Sequence, residues 1–288
     1  TDAIRSQWIE TNIALARAVW TENQRDEARK ILNNALSSKL ADGNQTASLY
    51  WVHGGISVEE KNYQAAIEYY TKGNQQKITD MAMRENLQWA IFWNLYLSKQ
   101  YKKAIEVADG FIKSSNNQVF INRLMFWSAK SEELRKNDFE YNEKLKDLAD
   151  SDPFGYYGIL AHMELELPMK KLDRHLYREI RSGNLTLDWL MAMEETDLAR
   201  NLLKEIDSTF KTPEQRENAL LLYVQTGWYQ GALRQINNFS SSKRLELTEK
   251  YPDIIYPTGF EKEADEASKK FSTISKDFIW SIIRQEST

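Results

Sequence analysis

The sequence contains no cysteine, and its prolines are confined to one part of the chain. Without cysteine there can be no disulfide, no thiolate nucleophile and no cysteine-ligated metal site. All five prolines lie at or after Pro153, so no proline breaks a helix interior before that residue. Because apolar residues recur there at helical spacing, we predict long helices in this part of the chain.

An excess of positive charge is also lacking. The chain has 38 basic and 42 acidic residues and a net charge of −4, which argues against nucleic acid as a partner. The longest apolar runs, such as residues 219–224, are too short to cross a bilayer, so no transmembrane segment is predicted. The opening residues TDAIRSQWIE do not resemble a secretory leader, and we expect a processed or trimmed chain.

The usual motifs of cofactor and metal chemistry are missing as well. The sequence has no P-loop, no Gly-x-Gly-x-x-Gly, no His-Glu-x-x-His and no Gly-x-Ser-x-Gly. The three histidines, His53, His162 and His175, are far apart, and we interpret each as an ordinary surface or core residue. We therefore expect neither a metal nor an organic cofactor.

An internal repeat organises the first half of the chain. The segments YQAAIEYY and YKKAIEVA begin 38 residues apart, at Tyr63 and Tyr101. An alanine column and a tryptophan column keep the same period, namely Ala28, Ala66 and Ala104, and Trp51, Trp89 and Trp127. This pattern predicts helix-turn-helix repeats similar to tetratricopeptide repeats, stacked into a superhelical solenoid. The aromatic columns could line a sugar-binding groove, but their strict period favours packing between repeats.

The regular period fades after about residue 150, at the break SDPFGYYGIL. Helical pairs then resume with Ala199 and Ala232 at the small-residue position, and Gly227 is a good helix stop. A second boundary is the segment KYPDIIYPTGF. We predict an all-α chain with a repeat domain over residues 1–150, a helical linker domain over 151–248 and a third region over 249–288.

The last predicted helix places a carboxylate on its apolar face. Ser275 can cap this helix, and Ile279, Ile282, Ile283 and Glu286 follow at i, i+3, i+4 and i+7 spacing. A carboxylate in the middle of a buried apolar face is expensive to ionise, so it could hold a proton at neutral pH and act as a general acid. The alternative is a residue at a frayed helix end that points into solvent.

Three short segments resemble the soluble lytic transglycosylases. FIWSIIRQES is similar to the start of their catalytic domain, IIYP (residues 254–257) to its lead-in, and YYGILA (residues 156–161) to a helix of their linker domain. The resemblance implies a superhelical domain, a linker domain and the beginning of a lysozyme-like α domain. It also implies a periplasmic location, peptidoglycan strands as substrate, peripheral association with the cell envelope and cell-wall protein partners.

The resemblance further implies roles for two residues. Glu286 matches the catalytic acid that cleaves the bond between N-acetylmuramic acid and N-acetylglucosamine with formation of a 1,6-anhydro sugar. Ser287 matches the serine whose hydroxyl lies beside the sugar. Arg284 and Gln285 match the motif without a role that we can derive.

The sequence departs from the family in one respect. The Gly-Leu-Met-Gln segment that follows the catalytic acid in these enzymes does not occur here. We therefore expect a truncated lysozyme-like domain, and a chain that is inactive by itself. The alternative from another functional class is a non-catalytic helical-repeat scaffold that binds a protein partner in the periplasm.

Overall fold

A computed structural model of the chain describes residues 2–169, 172 and 182–286. Every regular element in these ranges is helical and none is a strand, which confirms the all-α prediction. None of the helices described there is both long enough and apolar enough to span a membrane. The chain divides into two compact units, Thr1–Met169 and Lys170–Thr288. The three predicted domains remain a prediction, and the two units are described separately below.

The first unit is built from consecutive helical hairpins. Each helix packs on the next one along the chain, and each odd-numbered helix also packs on the next odd-numbered one. The helices are α1 (Asp2–Thr21), α2 (Arg25–Ser37), α3 (Gly43–Glu59), α4 (Tyr63–Asn74), α5 (Met81–Leu97), α6 (Tyr101–Ser114), α7 (Gln118–Leu134), α8 (Asp138–Ser151) and α9 (Tyr156–Glu164). The last of these, α9, was expected to open the linker domain, and it packs on α7 and α8.

One turn geometry joins the two helices of each hairpin. After α3, the Lys61 N–H donates to the Val58 carbonyl at 2.9 Å and the Asn62 N–H donates to the Ser57 carbonyl at 2.9 Å. This Schellman-type pairing satisfies the last carbonyls of the helix and requires a left-handed residue. The same position has positive φ at the four hairpin turns of the first unit, at Asn23, Lys61, Lys99 and Lys136, and Glu166 has it after α9.

The two repeat columns lie in the packed interior of the first unit. Ala28, Ala66 and Ala104 are each 0% exposed, since a side chain larger than a methyl group would separate the helices. The tryptophans of the second column are half-buried. Trp51 packs against the core of α1–α3 and also against the core of α3–α7. Trp127 likewise packs against two neighbouring cores. Helix packing therefore accounts for the aromatic column.

The second unit continues the hairpin pattern and ends in a different arrangement. Its helices are α10 (Leu185–Ala192), α11 (Thr196–Ile206), α12 (Pro213–Gln225), α13 (Tyr229–Ile236), α14 (Ser241–Lys250), α15 (Pro252–Ile255), α16 (Glu261–Lys270) and α17 (Lys276–Glu286). Ala199 and Ala232 are each 0% exposed, as expected of the small-residue position. Gly227, with φ of +68°, follows α12 as the predicted helix stop.

A buried histidine makes the first unit sensitive to acid. His53 is 0% exposed, its ring stacks on Tyr69 with centroids 4.6 Å apart, and neither ring nitrogen is hydrogen-bonded to a described residue. Burial, followed by the charges of Arg29 and Lys72, lowers the pKa of His53 from 6.5 to about 4. The ring therefore stays neutral in the folded state at pH values where the unfolded chain binds a proton.

We expect stability of the first unit to fall as the pH drops from 6.5 towards 4. The unfolded state binds the proton first, so His53 can cost up to about 3 kcal/mol across this window and nothing above it. His53→Leu removes this contribution. The measurement is urea unfolding of both proteins at several pH values. If their unfolding free energies change in parallel between pH 7 and pH 4, the titration of His53 does not set the acid sensitivity.

Candidate functional site

The last helix, α17, is held in place at its start. Ser275 Oγ accepts the Phe278 N–H at 3.2 Å, which confirms the predicted cap. Lys276 forms ion pairs with Asp265 and, at 3.5 Å, with Glu261, and its hydrogen bond to Asp265 raises the pKa of Lys276. These contacts join α17 to the preceding helix α16.

The apolar face of α17 is largely uncovered. No residue of this helix is buried, and Phe278 and Ile282 are 54% and 49% exposed. Glu286 is the last residue of α17 and is exposed. The helical spacing places it on the apolar face as predicted, but the burial expected for its carboxylate is absent. On that face Ile279 and Ile283 are partly buried, whereas Ile282 and Glu286 are exposed. Ser287 lies outside the described residues.

Two of the three segments that resemble the transglycosylases meet in the second unit. The Arg284 guanidinium lies over the Tyr256 ring, 5.2 Å from its centroid, so the RQE and IIYP segments are in contact. Trp280 Nε1 donates to the Gly259 carbonyl at 3.1 Å and ties α17 to the same loop. The third segment, YYGILA, lies in α9 of the first unit.

A groove follows one side of α17, between this helix and the loop after α15. Its volume is about 390 Å³. The walls combine polar and aromatic side chains, and the lining residues are Tyr256, Pro257, Thr258, Asp277, Trp280, Ser281, Arg284 and Gln285. Glu286 follows the last of these by one position and does not line the groove. Arg284 and Gln285, whose roles could not be derived from the motif, both line it.

A second cavity, of about 360 Å³, lies on the other side of Arg284. We call it the cationic cavity, because its lining includes Arg200, Lys204 and Arg284 but no acidic residue. Trp228, Tyr229 and Phe260 supply aromatic walls. Burial and then the charge of Asp253 raise the pKa of Tyr229, and Arg200 opposes this shift.

Sequence reasoning missed most of the residues that form the cationic cavity. They come from α11, from α13 and the turn before it, from the loop after α15 and from α17, and no pattern within any one of these segments marks them. One signal was available, since Arg200 and Lys204 are spaced i, i+4 and so share a face of α11.

The described histidines lie in the first unit and do not form part of either cavity. His53 is enclosed by helices, and His162 Nδ1 lies 3.0 Å from the Gly158 carbonyl oxygen of its own helix. His175 is outside the described residues. Within the described ranges, no three side chains of the His, Cys, Asp or Glu type lie together in a way that could hold a metal ion.

No protein-family model and no curated protein matches this sequence. Any assignment of function therefore depends on the chain's own residues and on their arrangement in the two units.

Proposed function

We propose that this chain belongs to a lytic transglycosylase of peptidoglycan and carries its catalytic acid, Glu286. The observation that supports this most strongly is the contact between Arg284 and Tyr256. It joins two segments that resemble the same family and that are far apart in sequence. Glu286 follows directly at the accessible end of α17, beside the groove lined by Gln285.

The proposed reaction needs a single carboxyl group. Glu286 donates its proton to the glycosidic oxygen between N-acetylmuramic acid and N-acetylglucosamine, and the bond to the anomeric carbon breaks. The resulting carboxylate then accepts the proton of the muramyl C6 hydroxyl, whose oxygen bonds to the anomeric carbon. The product is a 1,6-anhydro sugar, and no water is consumed. Most glycosidases need a second carboxylate, whereas here the substrate supplies the nucleophile.

The proposal requires that further elements cover α17. A general acid needs surroundings that favour its protonated form, and Glu286 lies exposed at the end of α17. Elements that pack on Phe278 and Ile282 would bury the apolar face and remove water from around Glu286. We propose that a lysozyme-like domain, of which residues 249–288 form the first part, supplies this cover.

In this proposal the hairpins of the first unit stack as a superhelical solenoid that positions glycan strands in the periplasm. The packing of each odd-numbered helix on the next one supports such stacking, since it is the nearest-neighbour pattern of repeat proteins.

The test is product analysis on purified peptidoglycan sacculi, with mass spectrometry of the released muropeptides. A longer protein that includes this chain and completes the lysozyme-like domain is expected to release muropeptides with 1,6-anhydro ends. We expect none from the 288-residue chain alone. Hydrolysed reducing ends from the longer protein would contradict the transglycosylase mechanism. Anhydro products from the short chain would contradict the need for further cover.

The alternative proposal is a non-catalytic helical-repeat scaffold for a periplasmic protein partner. The exposed position of Glu286 favours it, because that carboxylate lacks the surroundings of a general acid. The same experiment separates the two proposals, since a scaffold releases no muropeptide of either kind.

A further inference from the structure

The lining of the cationic cavity is positively charged, whereas the whole chain has a net negative charge. Acidic residues outnumber basic ones, 42 to 38, yet no acidic side chain is among the lining residues. Of its three cations, Arg200 forms an ion pair with Asp197, at 3.2 Å. Lys204 and Arg284 form no ion pair with any residue that the structure describes. Two cations thus face a cavity whose lining includes no carboxylate, although the charges of Asp197 and Asp253 act on Arg200 and Tyr229 of that lining.

An aromatic ring is fixed beside these cations. Lys204 Nζ lies 5.8 Å from the centroid of the Trp228 ring, and the edge of Tyr223 packs against the same ring with centroids 4.9 Å apart. A side chain in place of Gly231 would collide with Trp228, because an added Cβ would lie 2.5 Å from its Cδ2 atom. The indole is therefore a rigid wall of the cavity, and a planar group could pack on it at little entropic cost.

The rim of the cavity holds a strained residue. Phe260 has φ of +58°, a left-handed conformation that is an outlier for an aromatic residue, and its side chain is 59% exposed. Gly259 before it abuts the Tyr229 ring so closely that a Cβ would overlap the ring atoms. Backbone strain of this kind is concentrated at binding sites, and an exposed apolar ring at the rim offers contact area to a ligand.

We propose that the cationic cavity binds a small anion carried on a planar or apolar ring. The anionic group contacts Lys204 and Arg284, and the ring lies between Trp228 and Phe260. A carboxylate and a phosphate are the two forms of anion that fit these cations. This inference is independent of the proposed catalytic role of Glu286, which does not line the cavity.

The test uses the full chain labelled with 5-fluorotryptophan and observed by fluorine NMR. The chain has nine tryptophans, and Trp228→Phe identifies the resonance of Trp228. The probes are benzoate, phenyl phosphate and the neutral benzamide. We expect an anionic probe to shift the Trp228 resonance with a dissociation constant on the order of 1 mM, and benzamide to bind at least about tenfold more weakly. Whichever of benzoate and phenyl phosphate has the lower dissociation constant identifies the form of anion that the site prefers.

Charge-removing variants supply the controls. Lys204→Gln and Arg284→Gln are each expected to raise the dissociation constant about tenfold, whereas Lys211→Gln, an exposed cation of the same unit outside the cavity, leaves it unchanged. The other tryptophan resonances show whether each variant remains folded. Three results would overturn the proposal. The first is no shift of the Trp228 resonance with either anion. The second is binding of benzamide as tight as that of the anions. The third is an increase of the dissociation constant by Lys211→Gln as large as that by Lys204→Gln or Arg284→Gln.

Discussion

Replacing Glu286 with glutamine is expected to abolish the release of 1,6-anhydro muropeptides by a protein in which the lysozyme-like domain is complete. Glutamine keeps the shape of the side chain but has no carboxyl proton to give to the glycosidic oxygen. No other acidic side chain lies beside it in the Trp280–Gln285 stretch of α17, so nothing there replaces it. We expect a loss of at least about a thousandfold in product formation, at the upper part of the range for general acid catalysis.

Stability should not change with this substitution. Glutamine keeps the size and shape of the glutamate side chain, so in the complete protein the unfolding free energy of the variant is expected within about 1–2 kcal/mol of the parent. Glu266→Gln, which neutralises an exposed acid of α16, is the matched control and should leave product formation intact. Activity of Glu286→Gln near the parent level would remove Glu286 as the catalytic acid.

The helices of this protein could be predicted from its sequence because their causes are local. Apolar spacing and the shared 38-residue period of the alanine and tryptophan columns determine which faces pack together. Ala66 and Ala104 are fully buried. Only a small side chain allows two helices to approach closely, and this same requirement made the alanine column visible in the sequence. The cap at Ser275 and the stop at Gly227 follow from equally local chemistry.

The candidate site could be predicted only in part. Helical spacing indicates which face Glu286 occupies, but it does not indicate whether another element covers its carboxylate, and Glu286 is exposed in the part of the chain that the structure describes. The cationic cavity depends on side chains such as Arg200, Trp228 and Arg284, which come from separate helices. Their convergence is a property of tertiary packing, and no spacing within one segment encodes it. The turn that the hairpins share could not be predicted from the sequence either. Three of its left-handed positions are occupied by lysine, which is not a usual residue for this conformation.

Gly158→Ala is expected to destabilise the first unit by about 2–4 kcal/mol, because the added methyl group has no room. Gly158 is buried at the start of α9, where the chain folds back over Asp152. An alanine Cβ would overlap the Asp152 carbonyl oxygen and would lie 2.6 Å from its carbonyl carbon. These are backbone atoms and cannot rotate away, so α9 must shift from its place on α7 and α8. That shift opens the core in which Tyr157 contacts Phe126, with ring centroids 5.6 Å apart.

Gly110→Ala is the matched control, because it makes the same chemical change inside a helix. A Cβ at Gly110 meets no atom within 4 Å, and the residue is exposed on α6. Alanine there reduces the entropy of the unfolded chain, so this variant is expected to gain about 0.5–1 kcal/mol. Urea unfolding measures both changes, and hydrogen exchange of Tyr156–Glu164 reports on α9 directly. If both variants change stability by the same amount, the close approach of Gly158 to Asp152 is not what fixes α9 on the first unit.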